Sequence, residues 1–269
     1  MATILITGAG GSLGSVLTRR FVVEGYKVRA LDIHEPSLSK LKNENVRLLL
    51  GDIKDESRMN FALEGCDSCI ACASYKNLDL TEYSLEDTYK TNVLGTLKTA
   101  KACHNQKVKN AVLISSDKAV EPTSIYGVTK LAQEHIWLWM ARVQMVTEFI
   151  IIRMGNIEWS SGSVLPIWKE QVERGEKITV THPQCERYFI SDGSASDFVL
   201  NVTQTGINGK IYIPKMTRKR IRDMALEFVS NDADKIVITG LRHGEKIMER
   251  LYSQEEAPKV KDRGNYYEI

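Results

Sequence analysis

Residues 115 to 130 read SSDKAVEPTSIYGVTK, and four side chains in this stretch could act together on an alcohol. Tyr126 stands four residues ahead of Lys130, one helical turn, so an ammonium would lie beside a phenol. A phenol that exchanges a proton with a substrate hydroxyl near neutral pH needs its pKa of about 10 lowered, and a neighbouring cation does that electrostatically. The same stretch sets Asp117 next to Lys118, an acid and a base beyond what alcohol oxidation requires. On its own, that pair fits a surface ion pair at a strand end equally well.

Oxidising an alcohol needs a hydride acceptor, and the N-terminal residues could hold one. The strand pattern TILIT runs straight into Gly8, Gly11 and Gly14, a GxxGxxG spacing that opens a helix through Ser12 and Leu13. Glycine here allows a tight turn and lets backbone amides approach a pyrophosphate at a helix N-terminus, where unpaired N–H groups and the dipole favour negative charge. The place between a strand and a helix is the context that gives the pattern meaning. Asp32 ends the second strand pattern, where a carboxylate would accept from adenosine ribose hydroxyls and repel a 2′-phosphate, favouring NAD over NADP. The same side chain could instead cap the next turn. Asp52, after the third strand pattern, is placed for the adenine edge or for a helix N-cap.

Around these residues, short β-branched runs alternate with helix-period segments, the signature of βαβ units and a parallel sheet. Strands are predicted at 3–7, 27–32, 46–50, 68–72, 110–115 and 148–153, and helices at about 12–24, 55–64, 84–105 and 126–146. Six such strands predict an α/β fold, a Rossmann-like doubly wound parallel sheet. Past Arg153 the rhythm breaks into the loop GNIEWSSGSVLP, a helix pattern, a short strand in KITVTHPQ, the strand KIYIP, the helix IRDMALEFVS, the strand DKIVITG and a polar tail. The expected division is a dinucleotide-binding domain over 1–157 and a smaller substrate lobe over 158–269, with interleaving segments.

The 269 residues are 43% hydrophobic and 26% charged, as in an ordinary soluble protein, and a formal net charge of +2 gives no electrostatic reason to expect nucleic acid or an anionic membrane as partner. No apolar run reaches the roughly 18 residues of a membrane span, and MATILITGAGG enters a strand without a basic leader region. A cytoplasmic location and a small-molecule partner are expected. Cys66, Cys69 and Cys72 are spaced three apart, but in the strand-like CDSCIACA such residues point to opposite faces and could not converge on a metal. They are expected in the core, and no metal site is expected.

With the glycine loop and the tyrosine–lysine pair in one chain, the sequence resembles the extended short-chain dehydrogenase/reductases, and within them the CapD/PseB-like polysaccharide-biosynthesis family. That family's best-known activity is the inverting UDP-N-acetylglucosamine 4,6-dehydratase reaction. The resemblance is carried by TGAGGSLG (7–14), KTNVLGT (90–96), SSDKAVEPTSIYGVTKL (115–131), RMGN (153–156), SGSVLPIW (161–168), ERYFIS (186–191), GLRHGEK (240–246) and the closing NYYEI.

The resemblance implies a use for the extra acid and base. A 4,6-dehydratase removes a hydride from C4, takes the acidified proton from C5, expels the C6 hydroxyl as water and returns the hydride to C6. By family position Lys118 would be the C5 base, working if burial or neighbouring cations lower its pKa, and Asp117 would donate to the departing C6 oxygen. Tyr126 and Lys130 would handle the C4 alcohol and orient the nicotinamide ribose, while Ser116, in place of the family's usual threonine, would bond the sugar hydroxyl or ketone. The NAD or NADP would be regenerated each turnover and could stay tightly bound. For the UDP-sugar, the resemblance assigns the diphosphate to Arg187 and Arg242, the uridine ribose to Glu245, the substrate phosphate region to Asn156 and the sugar's surroundings to Lys76.

The chain also departs from the family. Asp32 and Ile33 stand where Ser-Arg is usual, Cys185 and Glu186 replace Met-Thr, His243 replaces a proline, and SYKNLD replaces ALKxxP. These changes are expected near the sugar pocket and leave the sugar and the outcome at C5 open. Similar enzymes dimerise by packing the two long helices against their copies, and IWLWM within 126–146 predicts a homodimer or higher homo-oligomer, although Trp137 and Trp139 would also suit the chain's own core. A nucleotide-sugar epimerase or 4-ketoreductase using only Tyr126 and Lys130 is the second enzymatic reading, separated from the first by Asp117 and Lys118. A dinucleotide-binding sensor without turnover is the third.

Overall fold

The computed structural model describes residues 1–269. The six predicted strands form within one residue of their expected ends: β1 (Thr3–Thr7), β2 (Lys27–Asp32), β3 (Val46–Leu50), β4 (Ser68–Ala71), β5 (Asn110–Ser116) and β6 (Glu148–Met154). They lie parallel in the order β6-β5-β4-β1-β2-β3, a doubly wound Rossmann-type sheet. The order reverses between β1 and β4, so a crevice opens at their carboxyl ends, where ligands bind in sheets of this kind.

Side chains alternate between two core layers, as the period-two pleat requires. Ile4, Ile6, Val112, Ile150 and Ile152 enter one layer, and Leu5, Leu113, Phe149 and Ile151 enter the other. Trp137 fills the second layer: its indole N–H donates to the Ala111 carbonyl at 3.1 Å and its ring meets Phe149 edge-on at 5.4 Å. Truncating such a side chain to alanine costs about 3–5 kcal/mol. Trp139, two residues on, turns outward and is 42% exposed. Cys69 and Cys72 do pack into opposite layers, but Cys66 precedes β4 in a turn and shares the face of Cys69. Burial pushes the Cys66 and Cys72 thiols up to about 12.

The predicted helix over 84–105 is instead three pieces, Leu85–Thr88, a π-helical stretch Tyr89–Gly95 and Thr96–Asn105. One wide turn carries KTNVLGT, and such turns concentrate at functional sites.

After β6 the chain builds β7 (Asn156–Ile157), the helix Val164–Glu173, β8 (Ile178–Val180) and β9 (Glu186–Ile190). It then returns to the large sheet, where the helix Asp192–Thr205 packs against the helix Ser12–Val23 and β10 (Ile211–Pro214) runs parallel to β6. A second excursion makes β11 (Thr217–Arg220), the helix Ile221–Phe228 and β12 (Ile236–Ile238). The excursions pair as β11-β9-β7 and β12-β8 over a small core of Trp168, Ile178, Phe189, Ile221 and Ala225. The stretch expected to be a polar tail instead forms β13 (Lys261–Asp262) and β14 (Tyr266–Glu268), an antiparallel edge beside β10. Three strands beyond residue 157, β10, β13 and β14, thus belong to the large sheet, an interleaving of the two expected parts. No helix is long and apolar enough to cross a membrane.

Candidate active site

One cavity of ≈ 770 Å³ runs from the glycine loop across the sheet's carboxyl ends to the small lobe, a volume suited to a small-molecule ligand. At its inner end Gly8 turns the chain at φ +64°, and a Cβ there would meet Ala73 Cα at 2.8 Å. Glycine is thus needed for the left-handed backbone and for the close pass of the chain leaving β4. A Cβ on Gly14 would collide with the Gly8 carbonyl oxygen. Gly11 caps the helix Ser12–Val23 with no side-chain hydrogen bond, so the first-turn amides, among them those of Leu13 and Gly14, have no internal acceptor. Gly8, Gly11, Ser12, Leu13 and Gly14 all line the cavity. This cradle fits the pyrophosphate of a dinucleotide.

Asp32 accepts the Gly10 N–H through Oδ2 at 2.8 Å and the His34 N–H through Oδ1 at 2.9 Å. It braces the loop while lining the cavity, and each carboxylate oxygen keeps a lone pair for a ribose hydroxyl. Asp52 also lines the cavity, with Oδ1 accepting the Lys54 N–H at 2.8 Å and Oδ2 lying 3.2 Å from Lys54 Nζ. The N-cap of the helix Glu56–Leu63 is Asp55, so the capping alternative for Asp52 is not realised.

β5 ends at Ser116 and passes through a tight turn, Asp117–Ala119, to the helix Ile125–Val143. Ser124 caps that helix by accepting the Gly127 N–H at 3.1 Å, which fixes Tyr126 in its first turn. Ser116, Lys118, Tyr126 and Lys130 line the cavity, and Asp117 lies fully buried behind them. Ser116 Oγ donates to Asp117 Oδ1 at 3.0 Å, and Lys118 Nζ donates to the same oxygen at 3.2 Å. Lys118 Nζ also donates to Asn156 Oδ1 at 3.4 Å and faces Glu249 Oε1 at 3.7 Å. Asp117 Oδ2 is buried without a hydrogen-bond partner, and the Ser116 hydroxyl also accepts the Lys118 backbone N–H at 3.3 Å. The Asp117–Lys118 pair is thus interior, and the surface ion-pair reading fails.

Two electrostatic expectations change. Burial pushes the Tyr126 phenol up, and the cation that opposes this is Lys118, not Lys130. Lys130 directs its ammonium to the Ile114 carbonyl at 2.6 Å, and burial pulls it down to about 8. The base role of Lys118 requires a lowered value; burial does pull it down, but the carboxylates of Asp117 and Glu249 outweigh that and hold it above the ordinary lysine value.

In the small lobe, Arg187 is buried and pairs with Glu245 at 3.0 Å while donating to the Lys246 and Ile247 carbonyls at 2.7 and 2.9 Å. Glu245 also takes the Arg242 guanidinium at 3.4 Å and the Thr181 hydroxyl at 3.2 Å. Burial pushes the Glu245 carboxyl up, yet hydrogen bonding and charge from Arg242 and Arg187 leave it below the ordinary glutamate value. Arg187, Arg242 and Glu245 all border the cavity, but as a mutually satisfied cluster in which Arg242 is the more open cation. Lys76 borders it as well, is exposed at its rim, and pairs with no carboxylate. Among the family departures, Cys185, Glu186 and His243 do not border the cavity, against expectation. Cys185 is in the small core, Glu186 pairs with Arg218 and Arg220, and His243 is 85% exposed. The SYKN departure does border it, through Ser74, Tyr75, Lys76 and Asn77.

Four further residues, Asn92, Glu134, Arg153 and Glu249, carry no assignment from sequence. Asn92, fully buried in the π-helical stretch, accepts the Tyr75 N–H at 2.8 Å and donates to the Tyr75 carbonyl and Thr129 hydroxyl at 2.9 and 3.0 Å. It ties the SYKN loop to the helix of Tyr126 and Lys130. Glu134 and Arg153 form a buried pair at 2.7 Å, extended to Glu256 at 2.8 Å. Glu249 follows Lys246 by three residues, a spacing that puts both on one face of a turn and was the available signal.

A family model described as polysaccharide biosynthesis protein matches residues 4–269. The inverting UDP-N-acetylglucosamine 4,6-dehydratase of Campylobacter jejuni is 32% identical over 99% of this chain and 82% of its own length. The UDP-glucose 4-epimerase of Rickettsia bellii is also 32% identical, over 99% of this chain and 82% of its own. Among solved structures, Pen from Bacillus thuringiensis superimposes with a TM-score of 0.95 at 29% identity, covering 100% of this chain and 87% of that one. With the model matched from the first strand to the last residue and the glycine cradle and reactive turn both in place, this chain belongs to the polysaccharide biosynthesis protein family.

Proposed function

We propose that this chain is a nucleotide-sugar 4,6-dehydratase that converts a UDP-N-acetylhexosamine, UDP-N-acetylglucosamine first among them, to its 4-keto-6-deoxy derivative. The observation that carries this reading is the interior Asp117–Lys118 pair beside Tyr126, because exchange of a C4 configuration needs no second acid and base. A nicotinamide dinucleotide, NAD by the Asp32 argument, would be held by Gly8, Gly11, Ser12, Leu13, Gly14 and Asp32, and when bound it would accept the C4 hydride and return it to C6. Tyr126 acts here as the phenolate, which the Lys118 ammonium favours against burial, and takes the proton of the C4 hydroxyl, with Ser116 bonding the same oxygen; the Tyr126 proton then passes on to restore the Asp117 acid after water has left. Proton transfer across the 3.2 Å contact from Lys118 Nζ to Asp117 Oδ1 would turn the resting ammonium and carboxylate into amine and acid, a step that burial assists and the Glu249 charge opposes. The Lys118 amine then takes the C5 proton and, as the ammonium, gives a proton back to C5 once the hydride is on C6. Asp117, which does not border the cavity, passes its proton through Ser116 Oγ at 3.0 Å to the departing C6 oxygen. Arg242 and Lys76 supply cationic surface for the UDP-sugar, with Arg187, Glu245 and Asn156 shaping its walls.

Incubation with UDP-N-acetylglucosamine and mass spectrometry tests the reading: the product should be lighter by one water. An unchanged mass with a changed NMR spectrum would instead establish 4-epimerisation, which the similarity to an epimerase and the charged resting state of Lys118 favour as the second reading.

We infer a cytoplasmic homodimer. The helices Leu78–Tyr83 and Ile125–Val143 pack together and leave Leu80, Tyr83, Val128 and Trp139 uncovered, an apolar face that a second copy would bury. Sedimentation at micromolar protein should give twice the mass of one chain.

A further inference from the structure

The GLRHGEKIMER segment of the small lobe reaches back to the reactive turn through one carboxylate. Glu249 is 6% exposed and borders the cavity. Its Oε1 lies 3.7 Å from Lys118 Nζ and its Oε2 2.7 Å from Lys246 Nζ. Lys246 is anchored in turn on the Val120 carbonyl at 2.9 Å, two residues past Lys118. Two lysines and one glutamate therefore fasten the small lobe to the turn that carries the chemistry. We infer that Glu249 is a positioning residue for dehydration, holding the Lys118 amine at the cavity wall and setting the pH above which that amine can take the C5 proton. This rests on the dehydratase reading.

Lys118 is faced by Asp117 on its own turn, Tyr126 on the following helix, Asn156 on β7, Arg187 on β9 and Glu249 on the small-lobe segment. Asp117 and Glu249 stabilise the ammonium, and Arg187 opposes them. Asp117 has its own part in the proton transfer. Glu249 does not: burial pushes its carboxyl up, but Lys118 and Lys246 outweigh this and keep it ionised, a fixed negative charge. Such a charge near an ammonium is worth about one pH unit or more.

The test is the pH dependence of Lys118 acylation by a lysine-reactive ester, read by peptide mass spectrometry on the full chain. In E249Q the midpoint should fall by about one unit, and in E249D it should stay near wild type. The acid limb of kcat for water loss should move down with it, while KM for the UDP-sugar changes less than about threefold. An unmoved midpoint in E249Q overturns the inference, as does E249D behaving like E249Q. K246M releases Glu249 towards Lys118 and should raise the midpoint, which decides the matter if E249Q does not fold; no rise overturns the inference. If the wild-type chain removes no water, the dehydratase reading fails, and the acylation midpoints still decide the Glu249–Lys118 relationship.

Discussion

Lys130 Nζ donates to the Ile114 carbonyl oxygen at 2.6 Å while the side chain is almost wholly enclosed. The ammonium is turned to the end of β5 and away from the phenol one helical turn earlier. Its folded value of about 8 lies below the ordinary 10.5, so between these values the unfolded chain binds more protons and stability rises with pH. Below pH 8 the buried ammonium costs the fold on the order of 3 kcal/mol, and the cost fades towards pH 10.5. Lys130→Met should therefore melt highest relative to wild type at or below pH 8, with the difference shrinking as pH climbs. Melts of both proteins across this range check it, and a constant difference would contradict it.

Asp32 holds two backbone amides, those of Gly10 and His34, and so governs the loop as well as the ribose position. Asp32→Ala should weaken every dinucleotide, but NADP least, because the repulsion of a 2′-phosphate is gone. The expected readout is a fall of about tenfold in the NAD:NADP affinity ratio, measured by titration with both reduced forms. Asp32→Asn should shift the ratio the same way with a smaller loss of affinity, since its carbonyl oxygen can still accept one of the two amides.

Arg153 joins β6 to Glu134 on the helix of Tyr126 and to Glu256 near the C-terminus. Its guanidinium also donates to the Leu251 carbonyl at 3.0 Å, and the Ser115 hydroxyl donates to Glu134 Oε1 at 2.6 Å. Arg153→Met leaves the Glu134 carboxylate buried and uncompensated, which should cost about 3–5 kcal/mol in urea unfolding. Adding Glu134→Gln should recover part of that loss, because two neutral groups are cheaper to bury than one orphaned charge. A double variant no better than the single would show that Arg153 acts through packing.

The sheet and the glycine cradle were legible in the sequence because each depends on local pattern: short runs rich in β-branched and other apolar residues, and glycines where a Cβ would strike backbone. The reactive turn was legible as a set of residue types, but its ionisation was not. Glu249 reaches Lys118 from more than a hundred residues away, and with Asp117 that carboxylate holds the lysine charged where the base role asks for a lowered value. The edge strands β13 and β14 were hidden because two or three residues carry no alternation signal. Asn92 stood in a quoted motif, yet only the widened turn around it shows that it joins Tyr75 to Thr129.

Lys118→Ala separates oxidation from elimination. The ammonium it removes is shared by Asp117 Oδ1 and Glu249 Oε1, both buried, so the variant should lose about 3 kcal/mol of stability and must first be shown to fold. UDP-sugar affinity should change little, because Arg242 and Lys76 are untouched. Tyr126 stays in place but loses the cation that opposes its burial, so reduced-nicotinamide absorbance should appear with substrate more slowly than in wild type and persist, while the product lighter by one water falls at least about a thousandfold. Tyr126→Phe should show neither signal. In heavy water, Lys118→Ala should also incorporate no deuterium at C5. Water loss at a wild-type rate in Lys118→Ala would remove the lysine from the elimination and leave Asp117 with Ser116 as the groups that move the proton.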